Sequence, residues 1–161
     1  MEVYYNQAAK DDIDELIRLR IAYINEDTGR IPEPDIEKFK ERLRDYFGRK
    51  LENEIIAFTA RESERIVSVA LLQIIEMPAN ANVVNGFYGI VLNVYTEPEY
   101  RGKGISTEVM KGLLKYGKDR KLPRIDLSST DAGYSLYSRL GFRDRGTEYR
   151  EMRYIYMENR L

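Results

Sequence analysis

The hydrophobic positions of this chain change period along its length, and the changes mark out its elements. Asp12 followed three residues later by Glu15 resembles a capping box. It opens a helix through Ile13, Leu16, Ile17, Arg20 and Ile24. A polar turn region rich in Asp, Gly and Pro runs from Asn25 to Pro34, and a second helix then carries Ile36, Phe39, Leu43, Tyr46 and Phe47 on one face. The pattern then changes period: Glu54 to Arg61 and Ile66 to Ile75 read as strands joined by the charged turn Glu62 to Arg65. Met77 to Gly86, with Pro78 and the Asn85-Gly86 pair, reads as a loop or wide hairpin end. Tyr88 to Thr96 is a nearly continuous apolar run, the pattern of a central strand covered on both faces. Helical spacing returns from Gly104 to Asp119 through Ile105, Val109, Leu113 and Tyr116. Arg124 to Ser129 reads as a short strand, Ala132 to Leu140 as a short helix and Arg150 to Met157 as a last strand. With a short strand at Val3 to Asn6, the order predicts an α/β or α+β fold: a mixed central sheet with helices on both faces, in a single domain over residues 1–161.

Composition narrows the function. A chain of 161 residues, 43% hydrophobic and 33% charged, has enough apolar material for one compact core and does not read as disordered. Its 26 basic and 27 acidic residues leave a net charge of -1, so nucleic acid is set aside as a main partner. No apolar run approaches the roughly 20 residues that span a bilayer. Met1 to Lys10 lacks a signal-peptide pattern, so no membrane partner and a cytoplasmic location are expected. The chain has neither cysteine nor histidine. That removes disulfides, the usual Cys/His zinc sites and the Ser-His-Asp or Cys-His nucleophile pairs, and no metal is expected. Acid–base work falls to Asp, Glu, Tyr, Lys, a terminal group or water.

The most informative stretch runs from Val94 to Ser106: Val-Tyr-Thr-Glu-Pro-Glu-Tyr-Arg-Gly-Lys-Gly-Ile-Ser. A buried strand ends, a proline stops it, and a Gly-rich turn enters a helix. The first amides of a helix lack intrahelical acceptors and carry the positive end of its dipole. Gly102 and Gly104 let an anion approach them, and Arg101 and Lys103 add formal charge, so the turn suits a diphosphate. The same glycines also suit a plain strand-to-helix turn. A nucleotide P-loop and a dinucleotide fingerprint both fit poorly, because their glycine spacings are missing.

Arg101 to Ser106 resembles the R/Q-x-x-G-x-G/A signature of the GNAT superfamily of N-acetyltransferases, with Ser106 where the family usually has Gly or Ala. Leu136-Tyr137-Ser138-Arg139-Leu140-Gly141-Phe142 is similar to the L-Y-x-x-x-G-F run that closes the family's domain. The resemblance implies acetyl-CoA as cosubstrate and an amine, small-molecule or peptide, as acceptor. It implies two splayed parallel strands with the pantetheine arm between them, paired to the backbone of Val94, Tyr95 and Thr96. Arg101, Gly102, Lys103, Gly104, Ile105 and Ser106 would then hold the diphosphate. Tyr137 falls where the family often places the acid that protonates the leaving thiolate, with Tyr134 as fallback. The general base is left open: Asp126, on one strand face with Ser128, is the candidate, while Glu97 beside Pro98 is expected to face solvent. Glu26, Asp27, Glu33 and Asp35 make an acidic loop that suits a cationic amine. The aromatic segment Tyr149 to Tyr156 is expected in core and sheet contacts, with a homodimer edge as a further possibility. A coenzyme A-binding sensor without turnover is the alternative reading.

Overall fold

A computed structural model describes residues 2–27, 29, 31–146 and 150–156 of the chain. The chain divides into two compact units, Met1–Ser128 and Ser129–Leu161. The first unit holds the whole sheet: β1 (Tyr4–Gln7), α1 (Ile13–Asp27), α2 (Ile36–Lys50), β2 (Ile55–Glu62), β3 (Arg65–Glu76), β4 (Phe87–Thr96), α3 (Ile105–Asp119) and β5 (Ile125–Asp126). The strands lie in sequence order. β1 through β4 are joined antiparallel, and β5 adds to β4 in parallel.

Alternation along the strands sends side chains to two faces, and each face has its own helices. Leu16 and Leu19 of α1 and Phe47 of α2 pack with Ile55, Ala57, Val69, Leu71 and Tyr95. On the other side α3 buries Val109, Met110 and Leu113, and Phe58 meets Tyr116 edge-on with ring centroids 5.6 Å apart. Burying each large apolar side chain contributes about 1.5–3 kcal/mol, so the two faces together fix α1, α2 and α3. This is the mixed α+β sheet with helices on both faces that the pattern predicts.

Several element ends differ from expectation, each for a local reason. Asp12 does not cap α1. It closes a 3-10 turn at Lys10–Asp12, where its carboxylate accepts from the Ala9 N–H at 2.9 Å. Glu15 turns to other partners, accepting from Arg18 and from the Ile66 N–H at 3.0 Å. Asn25, Glu26 and Asp27 belong to the last turn of α1 and not to a loop, because nothing in their chemistry breaks a helix before Gly29. β5 is two residues long, not six; Leu127 and Ser128 have no strand partner among the described residues. The expected last strand is absent from residues 150–156, where Met152, Tyr154 and Tyr156 are exposed. An aromatic-rich, strand-like sequence forms a strand only against a partner, and no ladder reaches this segment among the described residues. Tyr149 and Met157, also part of those readings, lie outside the described residues.

Two irregularities in β4 shape its far end. β5 pairs only Gly89 and Ile90, so among the described residues β4 from Val91 to Thr96 continues beside β3 alone. Within that stretch Val69 faces Tyr95 while Leu71 faces Leu92, so Asn93 and Val94 together oppose Ala70. This is a β-bulge, with Asn93 at φ 48°. Bulges bend a strand and leave backbone groups outside the ladder.

The second unit contains α4 (Asp131–Arg139). Thr130 caps its start, accepting from the Gly133 N–H at 3.3 Å. Its end is a Schellman turn: Gly141 takes φ 97°, its N–H bonds the Ser138 carbonyl at 3.1 Å, and the Phe142 N–H bonds the Tyr137 carbonyl at 3.0 Å. The rings of Tyr137 and Phe142 meet edge-on at 5.9 Å. The Leu-Tyr-x-x-x-Gly-Phe run thus has an architectural cause: glycine stops the helix and phenylalanine folds back onto the tyrosine one turn earlier.

Candidate active site

The turn after β4 is built in three steps. The Glu97 N–H donates to the Val67 carbonyl at 2.9 Å and keeps the chain on the sheet past Thr96. A 3-10 turn at Pro98–Tyr100 follows, closed by Tyr100 N–H to the Glu97 carbonyl at 2.9 Å. Gly102 at φ 73° and Gly104 at φ 77° then swing the chain into α3. A left-handed conformation costs other residues about 1–2 kcal/mol, which explains both glycines. A Cβ at either would meet nothing within 4 Å, so the space above the turn is open. Gly104 caps α3 with its carbonyl, accepting from Thr107 and Glu108. Among the described residues the amides of Gly102, Gly104, Ile105 and Ser106 have no backbone acceptor. Ile105 anchors its side chain in the core while its amide stays at the turn. Open space, free amides and the helix dipole fit the diphosphate of a coenzyme A ester.

Arg101 is committed within the chain. Its Nε donates to the Thr96 carbonyl at 2.8 Å and its Nη2 to Glu26 Oε2 at 2.7 Å. The same Glu26 carboxylate accepts the Tyr95 hydroxyl through Oε1 at 2.9 Å, and the Arg101 guanidinium lies 5.5 Å from the centre of the Tyr95 ring. The hydrogen bond and charge of Arg101 hold Glu26 below the usual carboxylate range. Burial, reinforced by the Glu26 carboxylate, pushes the Tyr95 phenol up to about 12. Lys103 Nζ lies 5.4 Å from the centre of the Tyr100 ring.

Glu97 does not face solvent. It is 5% exposed and accepts from Arg18 and twice from Arg65, at 2.8 and 3.1 Å. Arg18 in turn binds Glu15 and the Ile66 carbonyl. Burial raises the Glu97 carboxyl, but the hydrogen bonds and charges of Arg65 and Arg18 outweigh it, and the group sits below its usual range. A carboxylate held this way is a poor proton acceptor. It staples the end of β4 to α1 and β3 directly before the cradle.

The other candidates are placed as follows. Val94 lies in the bulge with no β5 neighbour; the Thr96 hydroxyl is 2.7 Å from that of Ser68, and its carbonyl is taken by Arg101. Asp126 pairs with Ile90 through the backbone and with Arg124 through its carboxylate at 3.1 Å. Tyr137 is half-buried in the second unit, its ring against Phe142. The Tyr134 hydroxyl donates to Asp144 at 3.0 Å, which occupies the fallback acid. Asn93 is the residue that sequence reading missed. It is 8% exposed, and its side chain accepts from Arg20 at 2.9 Å, which secures the bulge to α1. An asparagine inside an otherwise apolar strand was the available signal.

A sheet opened along one edge beside a turn that fits an anion suits an acyltransferase that uses a coenzyme A ester. The model of the Acetyltransferase (GNAT) family matches residues 18–142, and the chain belongs to that family, whose acetyl donor is acetyl-CoA. A predicted acetyltransferase from Clostridium acetobutylicum, solved with acetyl-CoA, is 31% identical with a TM-score of 0.81, over 94% of this chain and 96% of that one. A GCN5-related N-acetyltransferase from Ralstonia eutropha shares the fold at 21% identity and a TM-score of 0.75, over 94% of this chain and 99% of that one. So does glucosamine-6-phosphate N-acetyltransferase from Arabidopsis thaliana, at 14% identity and a TM-score of 0.65, over 94% and 99%. A comparison with curated proteins finds no match. The chain is an N-acetyltransferase. No helix among the described residues is long and apolar enough to cross a membrane.

Proposed function

We propose that this protein passes an acetyl group from acetyl-CoA directly to a primary amine of a small molecule or peptide, with both substrates bound at once. The observation that carries the reading is the open turn at Gly102 and Gly104, where among the described residues the amides of Gly102, Gly104, Ile105 and Ser106 find no backbone acceptor, beside a strand whose end pairs with β3 alone among those residues. Direct transfer suits a chain with no cysteine to carry an acyl group. The family match spans both compact units, which supports treating the whole chain as one acetyltransferase domain.

The cosubstrate supplies a thioester-activated acetyl group and a thiolate leaving group. The amides of Gly102, Gly104, Ile105 and Ser106 hold its diphosphate, and Arg101 and Lys103 contribute charge. The backbone of Val94, Tyr95 and Thr96 lines the gap left by the short β5. A backbone N–H at the bulge serves as oxyanion donor, an interaction worth about 3 kcal/mol of transition-state stabilisation. Tyr137 donates its hydroxyl proton to the departing sulfur. Asp126 accepts the proton of the attacking amine, directly or through water, once its carboxylate turns from Arg124; loss of that proton to bulk water before binding is the simpler alternative.

A thiol-release assay against polyamines, aminoglycosides, amino acids and peptides tests the proposal. Turnover with at least one amine class is expected. Silence across the panel in a protein that binds coenzyme A overturns the catalytic reading in favour of a sensor, which the pairing of Asp126 with Arg124 would suit.

A further inference from the structure

Glu26 stands at the meeting point of the two halves of this site. It projects from the last turn of α1 and is bonded at once to Arg101, from the diphosphate turn, and to Tyr95, from the open half of β4. Arg101 is pinned by its Nε to the Thr96 carbonyl, so its guanidinium stays at the strand end whatever its other nitrogens do. One cation therefore faces two anionic claims: the Glu26 carboxylate and any diphosphate seated over the neighbouring amides.

We propose that Glu26 is the acceptor-binding carboxylate, and that it is exchanged between Arg101 and the ammonium group of the incoming amine. With the cradle empty, Arg101 neutralises Glu26 and leaves little field for a cation. A diphosphate on the turn draws the charge of Arg101 toward itself. Glu26, still oriented by the Tyr95 hydroxyl, then regains a free oxygen at the end of α1, beside the open half of β4. Binding of the two substrates is thus coupled through one arginine, and the coupling is reciprocal. Asp27, the next residue and also on α1, interacts with Tyr23 instead, so the effect belongs to Glu26 and not to acidity of the helix end in general.

The inference rests on the proposed use of the cradle, and calorimetry on the full chain separates the two. Failure of the wild-type protein to bind coenzyme A overturns the cradle reading and this inference with it. Given binding, Glu26→Gln is expected to bind coenzyme A about threefold or more tightly, because a competitor for Arg101 and a like charge are both removed. Asp27→Asn, which deletes the same charge one residue along, is expected to change that affinity less than about twofold. Equal or weaker coenzyme A binding by Glu26→Gln, or an equal gain from Asp27→Asn, overturns the exchange. With spermidine as cationic probe, coenzyme A is expected to raise its affinity about tenfold in the wild type and not in Glu26→Gln. No gain in the wild type, or the same gain in both, overturns the role of Glu26 toward the acceptor. A melting curve for each variant ensures that affinities are compared between folded proteins.

Discussion

Two short glycine turns, at Gly102 and Gly104 before α3 and at Gly141 after α4, use the same backbone conformation for opposite ends. All three residues take positive φ, and a Cβ on any of them would meet nothing within 4 Å. At Gly141 the chain satisfies itself: the turn's N–H groups return to the carbonyls of Tyr137 and Ser138, and Phe142 packs on Tyr137. At Gly102 and Gly104 the chain holds back: among the described residues their amides find no backbone acceptor, and the helix dipole adds to them. A glycine in a motif marks a backbone requirement; whether the motif is chemistry or architecture depends on which polar groups are left over.

The largest expected effect falls on Tyr137, where the two roles meet. Tyr137→Phe keeps the ring against Phe142, and thiol release should fall about hundredfold or more, the usual scale for losing a general acid. An unchanged rate would remove Tyr137 from the proton transfer and leave it a structural role. Gly104→Val should cut coenzyme A affinity about tenfold or more, since strain of about 1–2 kcal/mol at the αL position disturbs the cradle itself, and each 1.4 kcal/mol is tenfold. Gly141→Val should carry a similar strain but spend it on stability, lowering the melting temperature while coenzyme A affinity falls by much less; calorimetry and melting curves for the pair check both. If the two variants lose affinity alike, the contrast between the turns is wrong.

The smallest effect concerns the staple below the cradle. Glu97 and Glu15 titrate below their usual range when folded. Between the folded and unfolded values the unfolded chain binds more protons, so stability rises with pH across that window. The contribution is fully present above the ordinary carboxylate pKa and is lost as pH falls through the depressed folded values. Melting temperature should therefore drop on acidification below about pH 4.5, more steeply in the wild type than in Glu97→Gln. Equal slopes would show that the Arg18, Arg65 and Glu97 network contributes nothing through its charge.

How far the sequence revealed this depended on the range of the interaction involved. Helical spacing located α1, α2 and α3 because it records the face they bury, and the long apolar runs located β2, β3 and β4 because those strands are largely buried. Gly102, Gly104 and Gly141 were legible because a positive φ leaves glycine as its mark. The short β5 and the missing strand at residues 150–156 were not legible, since a strand-like sequence states that a strand is possible and not that a partner exists. Glu97 was misread for a related reason: its neighbour Pro98 suggested a surface turn, whereas its burial is set by Arg18 and Arg65, far away in sequence. The clasp of Glu26 on Arg101 and Tyr95 spans some 70 residues and leaves no local trace. Asn93 lay in plain view, but a bulge is a property of two strands and only their register discloses it.

The central claim is that a diphosphate rests on the backbone amides of the turn into α3. Amide-resolved NMR on the full chain, titrated with coenzyme A, tests it most directly. The account predicts that the largest shifts fall on the N–H signals of Gly102, Gly104, Ile105 and Ser106, with ATP and NAD producing little change there. Saturable binding of coenzyme A that leaves those four signals unmoved would contradict it.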